Sequence, residues 1–332
     1  DGDLDLFVGV RLRPFLYGVP GNGYVLNNDG TGTFTNVTMT VAPELANFGM
    51  ITDAEWVDYD LDDDLDLVIV GEWLPISVFI NNDSQFSNAT LDLGLENTKG
   101  WYNSLAIRDI DGDDYPDVVG GNHGLNSRFK ASSEKPVRLY VNDFNGNGSA
   151  EQIITQYNGD TAYPIALRHD VLSQIPSLNS KYETYEDYQG QTIEDMFEPN
   201  LLSRSVVQEV EMLSTVVVLN NGPAGAEVKP LPQVVQLSPV YAIAIDDYNG
   251  DGYQDILLGG NLHGAKPEVG RYDASYGNLL IGNGDGTFMP QKPSESGILW
   301  EGEVRDIVEV TIKQQDYLLI ARNNMQPMLI KR

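Results

Sequence analysis

The sequence predicts an all-β fold: a β-propeller of about six to seven four-stranded blades carrying one helical insertion. Three observations predict it. A nine-residue acidic loop followed by an apolar strand recurs five times, one copy shortened; a tight turn rich in Asn, Asp and Gly recurs behind the loops; and apolar runs of strand length stand ahead of them.

Each element follows from local chemistry. The loops run from Asp58 to Asp66, Asp109 to Asp117, Asp143 to Glu151 and Asp247 to Asp255, and the shortened copy from Asp1 to Asp5. Apolar runs follow them, such as Leu-Val-Ile-Val-Gly after Asp66 and Ile-Leu-Leu-Gly-Gly after Asp255. Residues 51–57, 102–107 and 241–245 ahead of three loops also read as strands, so each loop joins two strands. The second phrase spans 24–34, 78–86, 216–222 and 279–288. Its Asn-Gly and Asp-Gly pairs accept positive φ and close hairpins. A unit therefore reads strand, acidic loop, strand, strand, tight turn, strand, repeated at roughly 50 to 60 residues. Residues 303–330 read as a degenerate last unit without an acidic loop.

The spacing breaks once, between Glu151 and Val216. Residues 166–214 are helical in pattern more than β, which predicts a helical insertion within the fourth blade of a single propeller covering 1–332. Because Asp1 opens in the middle of a motif, the chain reads as a fragment of a longer one whose export signal lies elsewhere.

Forty-nine acidic residues against twenty basic ones give a net charge of −29. That excludes nucleic acid and anionic lipid surfaces as partners, which require a cationic face. No cysteine is present, so disulfides and thiolate metal sites are excluded. No run reaches the ~20 apolar residues of a membrane span, so no insertion into a bilayer is expected.

The clustered acids instead suit a cation. Within each loop, oxygen-bearing side chains at positions 1, 3 and 5, a backbone carbonyl at position 7 and a carboxylate at position 9 form a ligand set. These are Asp58, Asp60, Asp62, Asp64 and Asp66; Asp109, Asp111, Asp113, Tyr115 and Asp117; Asp143, Asn145, Asn147, Ser149 and Glu151; Asp247, Asn249, Asp251, Tyr253 and Asp255; and, in the short copy, Asp1, Asp3 and Asp5. Hard oxygen donors without nitrogen or sulfur suit Ca²⁺, at up to five sites; Mg²⁺ demands a tighter octahedron and keeps its waters. A single such loop would read as a solvated turn. Five in register argue against that, and the missing Glu at position 12 and flanking strands argue against an EF-hand. Asp63 and Asp114 stand where the other loops have Gly at position 6, and the fourth loop offers fewer carboxylates, which predicts weaker binding there.

The acidic loop, the Leu-Leu-Gly-Gly strand and the Asn-Asn-Asp-Gly-Thr-Gly-Thr-Phe turn resemble FG-GAP/VCBS repeats, the blades also found in integrin α-subunit propellers. The resemblance implies Ca²⁺ between the first and second strands of a blade, on the lower face. Arg168-His-Asp-Val-Leu-Ser-Gln-Ile-Pro176 and Gly270-Arg-Tyr-Asp-Ala-Ser-Tyr-Gly277 resemble more narrowly large bacterial surface proteins that combine VCBS repeats with an ASPIC/UnbV domain. Together with the millimolar calcium such loops need, this implies an extracellular or outer-membrane-associated location.

Loops after the second strands fall on the opposite face. They hold Trp73, His123 and His263, with Asn122, Arg128, Asn261 and Arg271 nearby, a candidate ligand face near the axis. Alternatively, each histidine packs a sheet edge and bonds a neighbouring loop. No nucleophile elbow and no phosphate-binding glycine loop occurs. The expected function is therefore a non-enzymatic binding or scaffolding module for a protein or glycan. The alternative is a calcium-assisted polysaccharide lyase or hydrolase using His123 or His263 as base.

Overall fold

The computed structural model describes residues 2–331. Asp1, one of the expected ligands, lies outside the described residues. Among the described residues strands make up 41% and helices 13%, and the strands form six antiparallel sheets, so the all-β expectation holds.

Five sheets share one construction. The first contains Leu6–Gly9, Gly23–Asn28 and Phe34–Asn36. The second orders Met50–Val57, Asp66–Leu74, Ser77–Asn82 and Gln85–Asn88, with Gly100–Trp101 added beside Asp66–Leu74. The third orders Ser104–Arg108, Asp117–Gly121, Val216–Asn220 and Ala226–Pro230. The fourth orders Val240–Asp246, Asp255–Gly260, Asn278–Gly282 and Phe288–Pro290, and the fifth Glu303–Ile312, Gln315–Asn323 and Met328–Lys331. In the second to fifth sheets the first strands lie side by side in chain order.

The glycines that end the apolar strands explain this stacking. A Cβ added to Gly9 would lie 2.4 Å from Ile51 and one on Gly259 2.5 Å from Val304, while one on Gly121 would lie 2.6 Å from Ser104 of its own sheet and 3.0 Å from Val240 of the next. Each glycine thus makes room for the first strand of the next sheet, and only an absent side chain fits. Apolar side chains fill the layers between neighbours. Val68, Val78, Tyr102, Val118 and Val218 pack the second sheet on the third; Val119, Val217, Ile256 and Leu258 the third on the fourth; Leu257, Val304 and Ile320 the fourth on the fifth. Each such side chain contributes about 1.5–3 kcal/mol when fully buried.

One expectation changes. The acidic loop at 143–151 was expected to open a fourth sequential unit closed by residues 216–222. Instead Val118 pairs with Val218, so residues 122–215 interrupt the third sheet between its second and third strands. Burial gives the reason. Asp117–Gly121 and Val216–Asn220 are buried on both faces, whereas Val137–Asn142 and much of Glu151–Asn158 alternate buried with half-buried residues. The doubly buried strands belong together inside one sheet, and the alternating pair belongs to another that has one open face. That sixth sheet orders Thr161–Pro164, Glu151–Asn158, Val137–Asn142 and Val206–Val210.

Within the expected helical insertion at 166–214, Val206–Val210 is a strand of the sixth sheet, its apolar Val206 and Val210 pairing within Val137–Asn142, and short helices occupy Arg168–Gln174, Tyr185–Tyr188, Ile193–Met196 and Pro199–Leu202. Thr184 with Asp187, and Thr192 with Asp195, form capping boxes that start two of them. Apolar side chains of this span, Val171, Ile175, Ile193 and Met196, pack with Phe144 of the acidic loop at 143–151 and Ile153 of the sixth sheet. The other side of that sheet meets Met50 and Trp73. Among the described residues no helix is long and apolar enough to cross a membrane.

Candidate metal loops and the opposite loop face

The acidic loops fold around their own first residue. Asp58 accepts the backbone N–H groups of Asp62 at 3.0 Å and Asp63 at 3.1 Å. Asp109 accepts those of Gly112 at 2.8 Å and Asp114 at 3.2 Å, Asp143 those of Asn147 at 2.9 Å and Gly148 at 2.8 Å, and Asp247 those of Gly250 at 2.6 Å and Gly252 at 2.9 Å. This Asx pattern needs left-handed backbone at positions 4 and 6. Gly250 and Gly252 supply it at φ 79° and 92°; Asp63 and Asp114 take the same conformation at φ 73° and 75°, which aspartate tolerates better than most residues. Leu61 also sits at φ 62°, a strained position that the motif does not reveal.

The position-9 carboxylate has a second task. One oxygen of Asp66 accepts Tyr59 N–H at 2.8 Å and the other Asn81 N–H at 2.7 Å. Asp117 takes Ile110 N–H and Asn220 N–H, both at 2.8 Å, and Asp255 takes Tyr248 N–H at 3.0 Å and Gly282 N–H at 2.9 Å. In the short copy Asp5 accepts Asn28 N–H at 2.8 Å. In the second, third and fourth sheets these carboxylates fasten the loop to the third strand, and in the first sheet to the second strand, which explains why the acidic loop and the Asn-rich turn travel together in sequence. Glu151 keeps only the loop half of this clamp, through Phe144 N–H at 2.8 Å; its other oxygen accepts the Asn145 side-chain amide at 2.7 Å.

Among the described residues, two loops gather three carboxylates each. One oxygen each from Asp58, Asp60 and Asp66, and one each from Asp109, Asp111 and Asp117, lie within 4.8 Å of one another. Such crowding is unfavourable without a counter-charge. Burial, reinforced by the facing carboxylates, raises the Asp60, Asp64 and Asp111 carboxyls above their ordinary range. Burial pushes Asp66 up to about 6 and Asp117 to about 7. Asp64 Oδ1 and Asp111 Oδ1 are buried without a hydrogen-bond partner. An all-oxygen donor set with orphaned, destabilised carboxylates fits a hard divalent cation.

Amides and backbone N–H groups take up other loop oxygens. In the loop at 247–255 the Asn249 amide donates to Asp251 at 2.9 Å, Asp251 accepts Tyr253 N–H at 2.9 Å, and Asp113 accepts Tyr115 N–H in the same way at 3.0 Å. Asn145 and Asn147 occupy carboxylate positions at 143–151, and Asn147 accepts Ser149 N–H at 2.7 Å.

On the opposite loops the candidate residues divide. Asn122 and Asn261 are buried and saturated. Asn122 accepts Trp101 N–H and His123 N–H and donates to the Met212 and Ser214 carbonyls. Asn261 donates to the Ser275 and Gly302 carbonyls and accepts Ser238 Oγ–H and Ser275 N–H. Both are latches between sheets, not groups facing a ligand. Trp73, also buried, donates to Tyr17 Oη at 3.0 Å. His123 lies among Trp101, Phe129 and Tyr272, with ring centroids 5.3, 5.8 and 5.0 Å away; burial holds its imidazole down at about 4. His263 donates its backbone N–H to Glu303 at 2.9 Å and lines a pocket of about 220 Å³ with Asn261, Tyr276 and Met325. Arg128 and Arg271 line a separate cleft of about 420 Å³. Tyr272 also lines it and was not singled out from the sequence; its neighbourhood with His123 has no local sequence signal.

Fold and loops together define a class: β-sheet repeats joined by acidic turns whose carboxylates converge. FG-GAP-like repeats match residues 1–69 and 58–120, a span that includes the first three acidic loops. No curated protein matches the chain. Among solved structures, one described as specific recognition of non-reducing terminal N-acetylglucosamine by an Agrocybe aegerita lectin aligns with 98% of this chain and 80% of its own, at 15% identity and a TM-score of 0.28. At that score the likeness carries no argument.

Proposed function

We propose that this chain is a calcium-loaded β-propeller segment of an extracellular or outer-membrane-associated bacterial surface protein, and that it binds a protein or a glycan. The observation that carries the reading is the convergence of three carboxylates in each of the loops at 58–66 and 109–117. Sheets of one build, stacked first strand to first strand, suit blades around an axis, and six to seven such blades make the parent ring. The narrower resemblance to VCBS proteins with an ASPIC/UnbV domain supports the surface location.

In this reading Ca²⁺ is held by the side chains at loop positions 1, 3, 5 and 9 and the carbonyl at position 7. It neutralises carboxylates that otherwise repel and stiffens the turn that each position-9 clamp fastens to its sheet. The metal is a structural clip on one face, and the partner occupies the other. Immobilised polysaccharides and surface proteins, probed in calcium and in EDTA, test it: retention in calcium that EDTA abolishes, without released products, supports the reading. Release of unsaturated or reducing ends would make the chain an enzyme instead.

A further inference from the structure

The cleft lined by Arg128 and Arg271 stands out in a chain of charge −29. Among the described residues neither guanidinium has a carboxylate within ion-pair distance, whereas Arg11, Arg138 and Arg305 are each paired. Two free guanidinium forks in one concavity form an anion-binding arrangement. Arg128 is held by stacking, its guanidinium 5.3 Å from the Phe129 ring, and Phe129 rests on Trp101 at 4.7 Å. Its hydrogen-bonding edge therefore stays available.

Both walls are anchored. Leu125 and Asn126 N–H donate to the Gln236 carbonyl at 2.7 and 3.2 Å. Leu262 and Tyr272 exchange backbone hydrogen bonds at 2.7 and 3.0 Å, and Lys266 on the intervening loop pairs with Asp170 of the insertion at 3.5 Å. Tyr272 is backed by His123, so an aromatic surface stands beside the arginines at small ordering cost. The cleft also holds Glu268 and Asp273. These acids oppose a polyanion such as nucleic acid, but they accept hydrogen bonds from neutral hydroxyls. A ligand with one carboxylate, several hydroxyls and an apolar ring face satisfies all of these groups, and the volume is within the range of small-molecule sites.

We propose that this cleft binds a uronic-acid unit of an acidic polysaccharide, its carboxylate on Arg128 and Arg271 and its ring against Tyr272. The proposal rests on the glycan-binding reading above and names the glycan's class. It is tested by calorimetric titration of the full chain, in calcium, with trigalacturonate, trimannuronate and triguluronate, and with their carboxyl-reduced neutral counterparts. At least one oligouronate binds, its neutral counterpart does not, and Arg128→Ala and Arg271→Ala each weaken binding by about tenfold or more, the effect of one charge-assisted hydrogen bond. Melting temperatures of both variants stay at the wild-type value, since both side chains are exposed. Equal binding of the neutral sugars, or unchanged affinity in both variants, overturns the uronate assignment and leaves a glycan module standing. Absence of binding by every saccharide overturns both.

Discussion

The carboxylate of Asp117 accepts the backbone N–H of Asn220 at 2.8 Å, across 103 positions of sequence. Almost all of that separation is the insertion at 122–215, whose ends meet: Asn122 N–H donates to Thr215 Oγ1 at 3.0 Å, and Gly124 N–H to the Leu213 carbonyl at 2.8 Å. An acidic loop therefore selects its third strand by hydrogen bonding, even when a whole sheet intervenes.

Replacing Asp117 by Asn keeps the shape but turns one of the two acceptors into a donor. Either Ile110 or Asn220 N–H is then buried without a partner, at a cost of about 1–3 kcal/mol. Urea unfolding in EDTA, where no metal contributes, reads the loss; a stability within error of wild type would show that the clamp does not hold the sheet.

Gly259→Ala drives a methyl into Val304 in the next sheet, an overpacking worth about 1–3 kcal/mol. Gly264→Ala has open space around it and leaves the melting temperature unchanged. Equal behaviour of the two variants would contradict the role assigned to the strand-ending glycines.

His123 predicts a pH dependence. Its imidazole titrates at about 4 when folded and near 6.5 when unfolded. Above about pH 6.5 it is neutral in both states. As pH falls, the unfolded chain takes the proton first, so stability declines from about 6.5 to about 4 and is level below, by about 3 kcal/mol in full. Its ring neighbours Trp101, Phe129 and Tyr272 are all uncharged across this range, the Tyr272 phenol being held above its ordinary value by burial. The unfolding free energy of wild type minus that of His123→Phe falls by about this amount from pH 7 to 4; a constant value would place His123 in solvent.

The loop at 143–151 presents two carboxylates where the loop at 247–255 presents three, and one of its amides already occupies Glu151. Asp143→Asn therefore removes a weaker calcium-binding event than Asp247→Asn does in otherwise identical titrations. Loss of an equally tight event from both variants would contradict the ranking.

The repeat was legible because its signals are local: loop oxygens at fixed positions, Asn-Gly turns, doubly apolar strands. Expected strands at 51–57, 102–107 and 241–245 appear as Met50–Val57, Ser104–Arg108 and Val240–Asp246. The pairing of Asp117–Gly121 with Val216–Asn220 was not legible by spacing, since the intervening acidic loop copies the motif so well. The burial pattern of the strands was the available clue. The aromatic group around His123 joins residues from distant segments, which no periodicity announces. Polar residues beside histidines suggest a ligand-facing pocket at Asn122 and Asn261, but the structure spends their hydrogen bonds on neighbouring backbone and, for Asn261, on the Ser238 hydroxyl.

Thermal unfolding of the full chain, in EDTA and in calcium at about ten times the dissociation constant, tests most directly the proposal that the acidic loops hold calcium and that calcium holds the fold. Each occupied site adds about 1.4 kcal/mol under those conditions, so two or more raise the melting temperature by several degrees, magnesium raises it less, and the Asp60→Asn/Asp111→Asn double variant loses much of the gain. An identical melting temperature in EDTA and calcium, for wild type and double variant alike, would contradict the account.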